Sequence, residues 1–300
     1  MNVTVTGGTG FVGRAAIRAL LARGDHVTAV TRNPAAARGG LPGSVDLVGW
    51  EDGPLDAAVA ASDAVLHLAG EQVVGRRWTR ELKDEIMKSR VDTAGRVVSA
   101  MKRAERRPRV LVSASGVGFY GARGNDPATE MDAQGADFLA EVAAAWEGAA
   151  RAAEPLGVRV VCARLGIVFG KGGGAISEMA RPFRFFVGGP IGTGAQVVSW
   201  VHLDDAVRIL LLCLDDPALS GPVNVVAPNA VTNAELAEEL GRVLHRPSAF
   251  RVPSAAIRML FGQGAEPILT GQRAVPAVLL AHGFSFDYPR VADALKEVLG

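Results

Sequence analysis

The sequence predicts an α/β fold, a doubly wound parallel sheet with a small, mainly helical cap at its C-terminal end, and three observations predict it. Short β-branched runs alternate with longer helical patterns through the first half, as in a parallel sheet covered by helices on both faces. A glycine-rich turn, Gly7-Gly8-Thr9-Gly10-Phe11-Val12-Gly13, joins the first such run to the first helical pattern. Residues 231–300 carry helical periodicity with little strand signal.

In chain order, the β-branched run Asn2–Thr6 is the first strand, and Phe11–Ala22 follows it with apolar residues at helical spacing. His26–Thr31 and Val45–Gly49 are the next strands, Leu55–Ala61 a helix, and Ala64–Leu68 a fourth strand. Glu81–Glu105 is an unusually long helical pattern, followed by the strand Val110–Ser113, the helix Asp137–Glu154 and the strand Arg159–Ala163. Past Gly170 the pattern changes to loops such as Gly172-Gly173-Gly174 and Gly188-Gly189-Pro190 among apolar helices. These read as substrate-side insertions near the carboxyl ends of the strands, where open α/β sheets bind their ligands. The cap's helices are Asn233–Leu244, Ser254–Phe261, Pro276–His282 and Arg290–Leu299. The expected organisation is a nucleotide-binding core over 1–170, mixed insertions and remaining core elements over 171–230, and the cap over 231–300. No repeat or low-complexity linker separates them, so they are expected to pack tightly.

Composition narrows the class. A content of 49% hydrophobic and 21% charged residues excludes a disordered chain, and 300 residues bury a substantial core. The net charge of +1 gives no global field for nucleic acid or an acidic membrane, so neither is an expected partner. Cys162 and Cys213 each lie in an apolar run and read as reduced core thiols. The five histidines are scattered without ligand spacing, so no metal site is expected. Met1 leads directly into a strand, and the apolar run Ile209–Leu214 is far short of the roughly 20 residues a membrane helix needs. The expected setting is cytoplasmic.

The glycine turn satisfies the dinucleotide fingerprint in its required strand–turn–helix setting. Gly7, Gly10 and Gly13 let the chain turn sharply and bring the helix N-terminus, with Thr9, Phe11 and Val12, against a pyrophosphate. The second strand ends at Val30-Thr31-Arg32-Asn33, where an NAD-specific protein usually carries an acid for the ribose 2′-hydroxyl. Arg32 there suits the 2′-phosphate of NADP(H) through charge-assisted bidentate bonds. The predicted core is therefore of the Rossmann type.

Four segments in order, Thr6–Gly13, His67-Leu68-Ala69-Gly70, Ser113–Gly121 and Ser199–Asp205, resemble the extended short-chain dehydrogenase/reductase superfamily. More narrowly, Arg77-Trp78-Thr79, Ser89-Arg90-Val91-Asp92, Trp146-Glu147, Ala227-Pro228-Asn229, His245-Arg246-Pro247 and Ala281–Phe284 resemble its epimerase-like branch, named for nucleoside-diphosphate-sugar epimerases with a characteristic C-terminal domain. The resemblance spans nearly the whole chain. It implies that Leu68, Ala69 and Gly70 pass beside the adenosine ribose, and that the strand ending at Ser113–Ser115 faces the nicotinamide. It also implies that Arg164 nears the nicotinamide end, that Arg90 contacts the cofactor, and that Trp200 and His202 line the substrate pocket.

The active site departs from those relatives. Their catalytic tyrosine, with a lysine four residues on, falls here on Leu139 and Ala143, which cannot move protons. Ser115 stands at the position of their catalytic serine and can orient a carbonyl, while Tyr120 is either a substitute acid, with a bound water as the other proton source, or a pocket-wall residue. An arginine that meets the diphosphate of nucleotide sugars is replaced by Val198; Arg181 and Arg184 could substitute for it or form a solvated helix face. Asp204 and Asp205, after His202, can be a relay with it or an N-cap for the apolar helix that follows, and the sequence suits the cap. Arg76, Arg77, Trp78, Lys83 and Lys88 could form a rim over the cofactor, with Trp78 and Trp200 as stacking candidates; core roles are the alternative. The functional expectation is an NADP(H)-dependent oxidoreductase or epimerase-like enzyme acting on a small carbonyl or hydroxyl compound, as a monomer or homodimer. The alternative is a non-catalytic NADP(H) sensor.

Overall fold

The computed structural model describes all 300 residues. The chain runs β1 (Asn2–Thr6), α1 (Phe11–Ala22), β2 (His26–Val30), α2 (Pro34–Ala37), β3 (Asp46–Val48), α3 (Asp52–Ala61), β4 (Ala64–His67), α4 (Arg80–Arg103) and β5 (Val110–Gly116). It continues through β6 (Pro127–Ala128), α5 (Phe138–Arg151), β7 (Arg159–Leu165), β8 (Ile167–Gly170), β9 (Gly173–Gly174), α6 (Ala175–Arg184), β10 (Val197–Val198), β11 (Trp200–His202), α7 (Leu203–Asp215) and β12 (Gly221–Val225). The remainder is β13 (Val231–Thr232), α8 (Asn233–Leu244), α9 (Ser254–Phe261), α10 (Glu266–Leu269), β14 (Arg273–Ala274), α11 (Ala277–Ala281) and α12 (Val291–Leu299).

Seven parallel strands form the central sheet in the order β12-β7-β5-β4-β1-β2-β3. The chain winds outward from β1 to β3 and then returns to pair β4 with β1, so the strand order reverses between those two. A crevice opens at the carboxyl ends of strands at such a switch point. The fold is the doubly wound Rossmann architecture that the sequence predicts.

Alternation along the strands divides the core. Val3 and Val5 join Ile17 and Leu20 of α1 and Ile209 and Leu210 of α7 on one face. Val65 and Leu111 join Leu55 of α3 and Val97 and Met101 of α4 on the other. Each such side chain, fully buried, contributes about 1.5–3 kcal/mol. A third cluster joins Phe169, Ile176, Trp200, Leu236, Leu240 and Leu295, tying α8 and α12 to β8, β11 and α6. Helices α8 and α12 thus share a core with the segment between β7 and β12.

Local rules explain most boundaries. Asn33 caps α2 by accepting from Ala36 N–H at 3.0 Å, with Pro34 at the first helical position. Thr79 caps α4, and Thr232 and Glu235 form a reciprocal capping box at α8. Asp137, expected inside its helix, is the cap of α5 and accepts from Ala140 N–H. The strand expected to end at Ser113 continues to Gly116, because β7 pairs with it along its whole length. The sequence reading missed β12, whose Gly-Pro opening and central Asn hide an edge strand; proline is tolerated there. It also missed the small sheet β11-β8-β9. No helix is long and apolar enough to cross a membrane. Cys162 and Cys213 are free and buried, and burial pushes both thiols up to about 12.

Candidate active site

The glycine loop has the shape that a phosphate cradle needs. Gly7 sits at φ +68°, and a Cβ there would lie 2.6 Å from the Leu68 carbonyl, so β1 and β4 approach as only glycine allows. A Cβ at Gly13 would lie 2.2 Å from the Gly7 carbonyl oxygen, so α1 can start against the loop only without one. Gly10 caps α1 with no side chain, and Thr9 and Gly10 are exposed. The first-turn N–H groups of Phe11, Val12 and Gly13 have no acceptor within the helix and face the carboxyl ends of the strands. The Phe11 ring turns away and packs against Gly170, Gly173 and Gly174, which explains that glycine cluster. Only its backbone is placed for a phosphate.

Arg32 follows β2, exposed and without a hydrogen bond or ion pair. Across the crevice, Leu68 and Ala69 are half-buried and Gly70 exposed; Ala69 N–H donates to Thr6 Oγ1 at 3.3 Å. His67 bonds Thr6 Oγ1 at 2.7 Å through Nδ1, and complete burial drives its imidazole down to about 3, so it is neutral. Arg90 was expected to contact the cofactor. Its guanidinium instead donates to the carbonyls of Glu71 (2.8 Å) and Ile86 (3.1 Å) beside Gly70, and burial lowers it to about 10. These bonds hold it to the crevice wall, and no carboxylate pairs with its charge. Ser113 is also corrected: it is buried, and its hydroxyl donates to the Ala114 carbonyl.

At the end of β5 lies a buried polar network. Ser115 Oγ donates to Glu147 Oε1 at 2.8 Å. Arg164 grips the same carboxylate with both arms, Nε to Oε1 at 2.7 Å and Nη2 to Oε2 at 2.9 Å. Burial, which would lower the guanidinium's pKa, is outweighed by Glu147, and Arg164 is held above its ordinary value. Its Nη1 donates to Tyr120 Oη at 3.0 Å, while Tyr120 donates to Asn224 Oδ1 at 2.7 Å. The Arg164 Cζ lies 3.5 Å from the centre of the Phe119 ring.

This network overturns two expectations. Arg164 does not reach for a cofactor, because Glu147 and Tyr120 hold its donors. Tyr120 is not poised as an acid: it is 1% exposed, its hydroxyl donates to Asn224 and accepts from Arg164, and burial raises its pKa despite Arg164, while its side chain forms part of the cleft wall. Ser115 stays at the expected strand end, but Glu147 takes its proton, so toward a ligand Ser115 presents lone pairs. The positions of the missing tyrosine and lysine are an apolar wall: Leu139 packs on Gly118, and Ala143 is buried. The sequence reading named Glu147 within the Trp146-Glu147 pair that carries the resemblance but gave it no role. Its spacing four residues beyond Ala143, hence on the same helix face, is the signal that would have found it.

Trp200 and His202, expected in the substrate pocket, are core residues. Trp200 is fully buried, stacks on Phe169 with ring centres 5.5 Å apart, and donates to the Asn229 carbonyl at 3.0 Å. His202 Nδ1 caps α7 by accepting from Asp204 N–H, its Nε2 lies 3.1 Å from Glu297 Oε2, and its ring packs 3.8 Å from that of Tyr288. The cap is therefore His202 itself, with Asp204 and Asp205 in the first turn. Buried Asp205 accepts from the N–H groups of Asp287 and Tyr288, so the cluster pins the C-terminal segment. Trp78 is also buried, against Phe138, with its N–H on the Val73 carbonyl.

An open cleft of about 790 Å³ lies where the start of α4, the turn before α5 and α10 meet. Lys83, Arg123, Gln134, Phe138, Gln263 and Glu266 line it. Arg123 is paired with Asp132 at 2.8 Å; the Lys83 ammonium has no carboxylate partner and sits over the Phe138 ring at 4.8 Å. Of the basic rim expected from the sequence, only Lys83 lines the cleft.

Comparison with known proteins agrees with this architecture. Residues 3–227 match the model of the NAD dependent epimerase/dehydratase family, and residues 252–298 match a domain of unknown function, DUF1731. The Epimerase family protein SDR39U1 homolog, chloroplastic, of Arabidopsis thaliana is 40% identical over 303 residues, spanning 100% of this chain and 87% of that protein. The crystal structure of human epimerase family protein SDR39U1 (isoform 2) with NADPH superposes with a TM-score of 0.87 at 36% identity, covering 99% of each chain. A nucleoside-diphosphate sugar epimerase from Corynebacterium glutamicum gives 0.80 at 31% identity, covering 99% of this chain and 58% of that one. Sequence, sheet order and glycine loop together establish that this chain belongs to the NAD dependent epimerase/dehydratase family.

Proposed function

We propose that the chain holds NADP(H) across the switch point between β1 and β4 and acts as an oxidoreductase or epimerase-like enzyme on a small hydroxyl or carbonyl compound. The residues present fit the cofactor: a cradle that a Cβ would fill at Gly7 and Gly13, free first-turn N–H groups, and an unpaired Arg32 for a 2′-phosphate. The human relative, crystallised with NADPH, supports the choice. When bound, the nicotinamide supplies hydride chemistry.

The observation that carries the reading is the fixed polarity of Ser115. With its proton held by Glu147, Ser115 accepts a hydrogen bond and so reads a ligand's hydroxyl rather than a bare carbonyl oxygen. The cleft lined by Phe138 and Tyr120 admits a small polar compound, and Lys83 is the cation available to an anionic group on it. With Tyr120 engaged and no lysine, the exchanging proton passes to solvent in the open cleft. The setting is cytoplasmic, in keeping with two free thiols, and the partner is a small molecule, with the chain a monomer or homodimer.

The same observation favours a second reading. Neither Ser115 nor Tyr120 has a free proton to give, which suits a non-catalytic NADP(H) sensor. A panel of alcohols, aldehydes, ketones and sugar nucleotides decides between them, monitored by NADPH absorbance in both directions. The enzyme reading expects turnover of at least one alcohol with NADP⁺. No turnover across the panel, with tight NADPH binding that alters a partner's affinity, would establish the sensor instead.

A further inference from the structure

Large apolar side chains stand in water at the end of α6. The helix closes at Arg184, and Phe185, Phe186 and Val187 after it are 69%, 54% and 52% exposed. The turn is wound on its neighbour: Phe183 is buried, and Gly188 lies so close to the Phe183 ring that a Cβ there would come within 2.3 Å. Phe250, 57% exposed, runs alongside, its N–H donating to the Gly188 carbonyl at 3.2 Å. The Arg246 guanidinium lies 4.5 Å from the centre of the Phe186 ring.

Backbone strain collects at the same place. Phe186 (φ +61°) and His245 (φ +53°) are the only non-glycine residues of the chain with positive φ. One follows α6 and the other ends α8, positions where glycine is the usual residue. A phenylalanine at such a position accepts strain in order to hold an aromatic ring in solvent, where it packs on no core.

Charge is segregated there too. Residues 179–203 and 240–265 contain no aspartate or glutamate, and the exposed Arg181, Arg184, Arg246 and Arg251 form no ion pair. The net charge of +1 hides this local excess. A second copy seated on the patch by twofold symmetry would set these arginines against their own equivalents, so the fitting occupant is anionic. Its nature follows from the backbone. The N–H groups of Phe185, Phe186 and Val187 already donate to the carbonyls of Pro182, Phe183 and Pro182, at 3.1, 2.9 and 3.0 Å. Such a turn offers no free donor for a partner chain to pair with, and it can enter an apolar phase without stripping a donor of water.

We propose that this patch seats the protein on an anionic lipid surface. Phe185, Phe186, Val187 and Phe250 enter the boundary between headgroups and acyl chains, and the arginines meet the lipid phosphates. The attachment is peripheral and does not depend on the cofactor or its chemistry.

Cosedimentation of the full-length protein with vesicles of equal parts phosphatidylglycerol and phosphatidylcholine tests this, with pure phosphatidylcholine vesicles as the comparison. Binding to the anionic vesicles should be at least roughly 10-fold tighter, and about 0.5 M salt should weaken it. Phe186→Gly should weaken binding roughly 10-fold while the melting temperature holds or rises, because glycine accepts the positive φ. A phenylalanine with a purely structural role would lower the melting temperature and leave binding unchanged. Arg181→Gln with Arg184→Gln should also cost roughly 10-fold in affinity. Equal sedimentation with both kinds of vesicle, or Phe186→Gly binding as wild type does, overturns the proposal. So does a wild-type protein that ignores vesicles but binds a glutamate-rich peptide, which would assign the patch to an acidic protein. A dimer that Phe186→Gly abolishes, in place of vesicle binding, overturns it in favour of a second copy.

Discussion

The Ser115 hydroxyl and the Glu147 carboxylate meet at 2.8 Å across 32 residues of chain, joining the end of β5 to the face of α5. Arg164 closes the other side of Glu147, and the three form a buried unit one helical turn beyond Ala143 on the same face of α5.

That unit should be costly to break and cheap to replace. Removing one charge with Glu147→Gln or Arg164→Met leaves the other buried and unpaired, at about 3–5 kcal/mol. Glu147→Met with Arg164→Met should cost much less than the sum of Glu147→Met and Arg164→Met alone. Urea unfolding of all variants measures the coupling; additivity within about 0.5 kcal/mol would mean that the two residues do not act as a pair.

His67 should make the fold acid-sensitive. Its folded pKa is depressed to about 3 from 6.5, so the unfolded chain binds the extra proton between those values. Stability therefore falls as pH drops from 6.5 toward 3, by up to about 1.4 kcal/mol per pH unit from this residue. His67→Gln removes the slope. The difference in urea midpoint between wild type and variant should change in the variant's favour as pH falls, and a constant difference would contradict a neutral buried imidazole.

Cofactor choice should rest on Arg32. NADPH should bind more tightly than NADH by about 1–3 kcal/mol, and Arg32→Ala should erase the difference while leaving NADH affinity unchanged. Calorimetric titration of both nucleotides into both proteins measures this. Equal affinities in wild type would remove the role given to Arg32.

The two hydroxyl residues should separate function from stability. Tyr120→Phe leaves Asn224 and Arg164 short of a partner and should cost about 1–3 kcal/mol of stability, with turnover of an identified substrate changed less than two-fold. Ser115→Ala should lower kcat/KM by about 10- to 100-fold with NADPH affinity near wild type. A Tyr120→Phe variant that unfolds like wild type but turns over 100-fold slower would restore Tyr120 as the acid.

What the sequence determined by itself is local or periodic. The alternation of strands and helices through the first half, α1 and its glycine loop, and the Arg32 position follow from hydrophobic period and from turn residues that only one backbone geometry accepts, and such signals survive without tertiary context. Leu139 and Ala143 were legible for the same reason: a missing proton carrier is visible in a one-dimensional register. What only the tertiary structure decided are the partners of polar side chains. Tyr120, Arg164 and His202 have the right chemistry for a site, and nothing local shows that Asn224, Glu147 and Glu297 already hold their hydrogen bonds from 104, 17 and 95 residues away. Burial decides this, because a polar group removed from water must take whichever partner the fold brings, and sequence spacing does not report which one arrives.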